Sequence, residues 1–387
     1  MPTSRGWTVA FVGAFTVFAG RAFGIIELFV IGLGLLVLVA GAWAIVRFVR
    51  LRLEVAREVT PLRVHAGGTA KVELRVTNLG RARSPLLALT DPVAGTKGAR
   101  LHVAPLRRKA AARAAYRLPT ARRGIVAIGP LLVRVQDPFG LAAIEAIGAP
   151  RVELTVYPAI EELEAKPASG NRDPHAGAEH PNALGRHGED FYALRPYVVG
   201  DDLRRVHWPS TARNDELMVR QDELPWQGRT TVMLDTRQLG YDDDTFETAV
   251  SATASILLAG WHRHDLVRIV TTDGTDSGFA SGHAFEASME YLAVVQPSTR
   301  GSLPALTAAL GRAVGGSLVV VVGRTPPGEL EALGRASRRF STTTVVVCTT
   351  TPVAKPAGVT HLVNVTPGRP FADDWADAHR GRRRQPA

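Results

Sequence analysis

Two uncharged stretches near the N-terminus constrain this chain more than any other feature. Trp7–Gly20 and Leu28–Val46 carry no Asp, Glu, Lys or Arg, and Arg21 and Glu27 are the charges between them. The second stretch has 19 residues, about 28 Å as a helix, close to the hydrocarbon thickness of a bilayer. The first extends into Arg21–Phe23, with Arg21 snorkelling to the interface. A cleaved signal peptide would need a small-residue cleavage site followed by a polar mature start. Here a second, stronger apolar stretch follows, so the expectation is a two-span helical hairpin over residues 1–52. Arg5 precedes the first span, and Arg47, Arg50, Arg52 and Arg57 follow the second. The positive-inside rule then predicts a multi-pass cell-membrane protein with both termini and the soluble chain in the cytoplasm.

Charge is localised as well. The chain carries a formal net charge of +10 over 387 residues. Residues 61–160 hold 16 Lys/Arg against 5 Asp/Glu, or +11, so the remainder sums to −1. A basic region beside a membrane segment points first to anionic lipid. Nucleic acid is not expected, because aromatics make up only 6% of the chain and stacking platforms need them. One cysteine, Cys348, excludes a disulfide framework and a cysteine-based zinc site, and it ends an apolar run that predicts a buried thiol.

Beyond the hairpin, the pattern to residue 160 has period two. In Lys71-Val-Glu-Leu-Arg-Val-Thr77 the apolar Val72, Leu74 and Val76 alternate with polar residues, as in a strand with one wet face. Further strands are predicted at Pro85–Leu89, Ala114–Leu118, Ile125–Ile128, Leu131–Val135 and Arg151–Val156, separated by Gly and Pro turn signals. Residues 53–160 therefore read as a basic antiparallel β-sandwich. Residues 161–187 lack periodicity and read as a linker.

From Arg229 strands and helices alternate. Thr230–Leu234 is a strand ending in Asp235, and Asp244-Thr-Phe-Glu247 has capping-box form at the start of a helix. Phe246, Val250, Thr253, Leu257 and Trp261 share one face of that helix. Leu318–Val322 is an unbroken apolar run, as expected of a central parallel strand, and Val359–Val365 adds an edge strand. Residues 229–372 thus read as an α/β domain with helices on both faces of its sheet, and 373–387 as a basic tail.

Residues 188–228 form a charged segment in which acids, arginines and aromatics alternate without a clear helix or strand period. Such a segment orders only if its charges find partners. Asp190, Arg195, Asp201, Asp202, Arg204, Arg205, His207, Trp208 and Arg213 are its candidate residues, either as a docking surface for another protein or as an ion-paired clasp between domains.

Gly188-Glu-Asp-Phe, Leu194-Arg-Pro-Tyr, Gly200-Asp-Asp-Leu-Arg-Arg, His207-Trp208 and Ala212-Arg213 resemble the signature of the bacterial domain of unknown function 58 family. Arg123-Gly124, Asp137-Pro138-Phe139-Gly140-Leu141 and the paired spans share that resemblance. It implies a C-terminal von Willebrand factor A-like domain. Members are often encoded beside MoxR-type AAA+ ATPases, which implies such a partner and an adaptor role; no activity is assigned.

A working A-type domain holds a divalent cation in an Asp-x-Ser-x-Ser turn, oxygen ligands suited to Mg²⁺. Here the turn reads Asp235-Thr-Arg-Gln-Leu239, so both serines are missing. Asp235, with Asp273 of Thr272-Asp273-Gly274, leaves only a degenerate metal site, or Asp235 pairs with Arg237. Nucleophile elbows, His-Glu-x-x-His and phosphate-cradling glycine motifs do not occur. The expected function is a non-enzymatic, cofactor-free membrane scaffold or adaptor. The alternatives are a metal-dependent enzyme using Asp201, Asp202, His207 or Asp235, and a structural envelope protein lying on anionic lipid.

Overall fold

The computed structural model describes residues 2–48, 52–163, 190–197, 206–214, 216–223, 228–279, 283–303 and 316–380. The chain divides into two compact units, Met1–Tyr157 and Pro158–Ala387.

The first unit begins with helix α1 (Ser4–Phe23) and helix α2 (Ile26–Phe48). Both are long and apolar enough to cross a membrane. Thr3 caps α1 by accepting the Gly6 N–H, and Gly24, at φ 71°, ends it in the left-handed conformation open to glycine. The two helices touch backbone to backbone: a Cβ on Gly32 would lie 2.6 Å from the Gly13 carbonyl oxygen. Small residues let helices approach this closely where lipid supplies no hydrophobic drive.

Ten strands follow. Sheet one orders β1 (Leu53–Thr60), β3 (Lys71–Asn78) and β6 (Ala111–Arg117) as β1-β3-β6. Sheet two contains β2 (Arg63–His65), β7 (Gly124–Ile128) and β10 (Val152–Tyr157) in the order β2-β10-β7. Sheet three orders β4 (Leu87–Asp91), β5 (Ala99–Val103), β8 (Leu131–Gln136) and β9 (Ala143–Ala149) as β5-β4-β8-β9. Pairing is antiparallel except between β2 and β10. Val72, Leu74 and Val76 of β3 enter a common core with Leu87, Leu89 and Leu154, as the alternation requires. Strands β1, β2, β5 and β9 are not among the strands predicted one by one; in β9 the period is hidden, because four consecutive residues, Ile144–Ile147, are exposed. The interior also holds an ionic pair, Arg57 Nη1 to Asp91 Oδ1 at 2.8 Å, with both side chains 1% exposed.

In the second unit a hairpin of β11 (Asp190–Pro196) and β12 (Met218–Glu223) brackets the short helix α3 (Trp208–Asn214). Five parallel strands follow: β13 (Arg229–Leu234), β14 (Leu266–Thr271), β15 (Ser317–Val322), β16 (Thr342–Val347) and β17 (His361–Asn364). Their order is β14-β13-β15-β16-β17, so the chain reverses its direction of growth between β13 and β15. Every residue of β13, β15 and β16 is buried, which explains their unbroken apolar or Thr-rich runs. Among the described residues, the helices are α4 (Asp243–His262), α5 (His283–Val294), α6 (Pro327–Ala336) and α7 (Phe371–Arg380).

Four details differ from the sequence reading. The capping box of α4 is Asp242 with Thr245 rather than Asp244 with Glu247, because Asp242 has the extended backbone that an N-cap needs. Trp261 is 42% exposed and stacks on Phe285 of α5 at 5.1 Å instead of entering the core. Residues 158–163 belong to the second unit, where the Glu161 N–H donates to Ser255 Oγ and its carboxylate accepts the Ala372 N–H. Finally, the segment assigned to a basic tail begins as α7, which buries Phe371 and Trp375 one turn apart. In the sequence that spacing is masked by the charges of Asp373, Asp374 and Asp377.

Candidate functional site

The turn after β13 stands at the carboxyl end of the parallel sheet beside its switch point, where α/β folds place their sites. Asp235 is 1% exposed. Arg237 folds back over it: Nε lies 3.0 and 3.1 Å from the two carboxylate oxygens, and Nη2 lies 2.9 Å from Oδ2. The Arg237 backbone N–H also donates to Oδ1, and the Thr272 hydroxyl adds a bond at 3.2 Å. The remaining fork of Arg237, Nη1, reaches Glu329 Oε2 of α6 at 3.0 Å. These bonds raise the guanidinium above its ordinary pKa, the Asp235 hydrogen bond being the largest cause, so it stays charged.

The loop that carries Arg237 is held on both sides. Gln238 N–H donates to the Ser298 carbonyl, and Ser298 N–H returns to Thr236. Arg324 N–H donates to the Gly240 carbonyl, which lies so near Gly323 that a Cβ there would sit 2.2 Å from it. Beneath the loop, burial keeps the Tyr241 phenol well above its ordinary pKa, and Asp235 adds to that effect. At the loop's tip Leu239 is 97% exposed.

A divalent cation does not fit this donor set. Both Asp235 oxygens face a fixed positive charge, and positions 237 and 239 supply no hydroxyl. Asp273 is committed elsewhere: it accepts bonds from Thr271, the Thr275 N–H and the Tyr291 hydroxyl. Although burial works against it, these bonds lower its carboxyl pKa. Among the described residues, no group of three or more His, Cys, Asp or Glu is placed to hold a metal. Arg237 thus stands where the pattern calls for a ligand. Its position in the turn was legible in the sequence, whereas Glu329 as its second partner lies 92 residues away and carries no sequence signal.

The charged segment is more regular than its composition suggests. Strands β11 and β12 pair antiparallel from Asp190↔Glu223 to Pro196↔Met218, with a register shift between Phe191 and Ala193 that breaks the two-residue period. Asp190 and Arg195 therefore lie on β11. His207 N–H donates to the Met218 carbonyl, and its Nδ1 lies 2.9 Å from Ser210 Oγ. Thr211 Oγ1 accepts the Met218 N–H, closing α3 onto β12. Trp208 is 67% exposed and Arg213, in the last turn of α3, is exposed too. Asp201, Asp202, Arg204 and Arg205 lie outside the described residues.

Residues 193–351 match the family described as "Protein of unknown function DUF58". The chain is 28% identical over 167 residues to the uncharacterized protein YeaD of Bacillus subtilis (strain 168). That match covers 43% of this chain and 38% of YeaD. Among solved structures, the CARDB domain of a Pyrococcus furiosus protein is 19% identical, covering 27% of this chain and 93% of that one at a TM-score of 0.23. A β-glucosidase of Listeria innocua is 12% identical, covering 27% of this chain and 17% of the enzyme at a TM-score of 0.17. Both scores are too low to place this chain in either fold.

Proposed function

Because the chain belongs to the DUF58 family over residues 193–351, we propose that it is a membrane-anchored, non-enzymatic adaptor whose α/β unit docks a MoxR-type AAA+ ATPase. In this reading the unit is a von Willebrand factor A-like domain that has exchanged its cation for a built-in guanidinium. The helices α1 and α2 are its two membrane spans, with the soluble units in the cytoplasm.

One observation carries the reading: Arg237 saturates Asp235 and locks a loop whose tip, Leu239, is 97% exposed. A carboxylate so paired is a poor base, nucleophile or metal ligand. A rigid loop with a bare leucine at its tip is the form of a protein contact, where a central apolar anchor contributes most of the binding energy. The metal-dependent enzyme is disfavoured at Asp235 by the same pairing.

The test is co-purification of full-length protein from mild detergent with a co-expressed MoxR-type ATPase. Wild type retains the ATPase and Leu239→Asp loses it, while Leu62→Asp, an exposed leucine of the other unit, retains it. Equal retention by Leu239→Asp would move the interface away from this loop.

A further inference from the structure

The β-sandwich has one end that differs from the rest of its surface, and the helical hairpin grows from it. Strand β1 begins there after α2, β3 and β5 end there, and β4 and β6 start there, as the pairings Leu53↔Asn78, Thr77↔Ala111 and Leu87↔Val103 show. The β8–β9 loop, residues 137–142, lies at the same end because Val135 pairs with Leu87. This loop is fastened to the hairpin. Thr3 N–H donates to the Leu141 carbonyl at 2.8 Å, and Thr3 Oγ1 donates to the Gly140 carbonyl at 2.7 Å. Leu141 and Ala142 are packed in a cluster with Val39, Ala42 and Val46 of α2. Asp137, buried, folds the loop by accepting the Phe139 and Ala142 N–H groups. Phe139 is left 66% exposed.

Two neighbouring loops share this end. Residues 79–86 carry Arg81 and Arg83 with Leu79 and Leu86, both leucines at least half exposed. Residues 104–110 carry Arg107, Arg108 and Lys109, all exposed. Lys109 N–H donates to the Asn78 carbonyl and Ser84 N–H to the Leu106 carbonyl, so the loops are tied together. Across the three loops the acidic residue is Asp137, and it is buried. The β4–β5 turn with Lys97 stands at the opposite end of the sandwich.

We propose that this end of the sandwich is a membrane-contact face, with Phe139 inserted among the lipid headgroups beside the hairpin and the arginines of the adjoining loops on anionic phosphates. The proposal rests on α1 and α2 being membrane spans. Depth follows from the contacts: Leu141 is bonded to the N-cap of α1, and Phe139 is two residues from it, within about 7 Å along the chain. Trp7, 66% exposed, lies about 6 Å into the helix from the same N-cap. Both aromatics therefore fall in one interfacial slab, where aromatic rings concentrate, and cations beside them meet a negative surface potential.

The test places a nitroxide on single cysteines in full-length Cys348→Ala protein reconstituted in phosphatidylcholine–phosphatidylglycerol vesicles. Phe139→Cys, Trp7→Cys and Lys97→Cys are compared by oxygen and nickel-chelate accessibility. Labels at 139 and 7 are expected to favour oxygen several-fold relative to the label at 97, and Arg108→Cys to sit at headgroup depth. A label at 139 as nickel-accessible as that at 97, with the label at 7 in lipid, overturns the contact face and leaves the spans standing. An aqueous label at 7 overturns both.

Discussion

Arg237 lies across both carboxylate oxygens of Asp235, two positions earlier in the same turn, while its other fork holds Glu329 of α6. One guanidinium thus ties the end of the central strand to a helix far along the chain. Removing it leaves a buried carboxylate with only backbone and hydroxyl partners. Arg237→Ala is expected to destabilise the α/β unit by roughly 3 kcal/mol, seen as a lower Tm in chemical or thermal unfolding, whereas Glu329→Gln should cost under about 1 kcal/mol because that pair is part-exposed.

The same turn offers a gain-of-function test of the A-type reading. Arg237→Ser together with Leu239→Ser writes Asp-x-Ser-x-Ser at 235–239 and frees the Asp235 carboxylate. Titration calorimetry should then detect Mg²⁺ or Mn²⁺ binding that wild type does not show. A folded double variant without heat of binding would count against an A-type ancestry for this loop.

Inside the strand-rich region, Asp91 accepts from Arg57 at 2.8 Å and from the Tyr116 hydroxyl at 2.7 Å. Burial, then the Asp91 bond, drives the Tyr116 phenol well above its ordinary pKa, so it remains a donor at all working pH. Tyr116→Phe should cost about 1 kcal/mol. Asp91→Ala should cost roughly 3–5 kcal/mol, because it strands the Arg57 charge in the core. Similar losses from the two variants would mean that the pair is better solvated than its geometry indicates.

Helix α7 carries a pH dependence. His379 stacks on His361 of β17 at 4.4 Å and its Nδ1 meets the Trp375 carbonyl at 2.7 Å. Burial lowers the His379 pKa, and His361 lowers it further. The unfolded chain therefore binds its proton first, and stability falls as pH drops below about 6.5, the unperturbed histidine value. Hydrogen-exchange protection factors across 371–380, corrected for the intrinsic rate at each pH, should fall between pH 7.5 and 5.5, and His379→Gln should flatten that dependence. An unchanged pH profile in the variant would assign the effect to another group.

In the hairpin, Gly32 and Gly34 make opposite predictions two residues apart. A Cβ at 32 would collide with the α1 backbone, whereas at 34 nothing lies within 4 Å. Gly32→Val is expected to cost about 1–3 kcal/mol of helix association, read as a lower Tm in detergent, and Gly34→Val to be neutral. Equal Tm values for both would argue against the packed pair.

What the sequence determined by itself is what depends on local pattern. The uncharged stretches determined α1 and α2, the alternation of Val72, Leu74 and Val76 determined the wet-faced β3, and the apolar run 318–322 determined the buried β15. Cys348 ends such a run and is buried, its thiol pushed up to about 12 by desolvation. The signature segment determined the family resemblance, yet its hairpin was illegible because the register shift at Phe191/Ala193 breaks the period. Only the tertiary structure decided the pairs that join distant residues: Arg237 with Glu329, Arg57 with Asp91, Thr3 with Leu141. Periodicity reports which face of one element is buried, but not which other element will cover it. That choice is made when the sheets assemble, and the buried charge of Asp91 finds Arg57 only then, whereas Asp235 has its counter-ion Arg237 within its own turn.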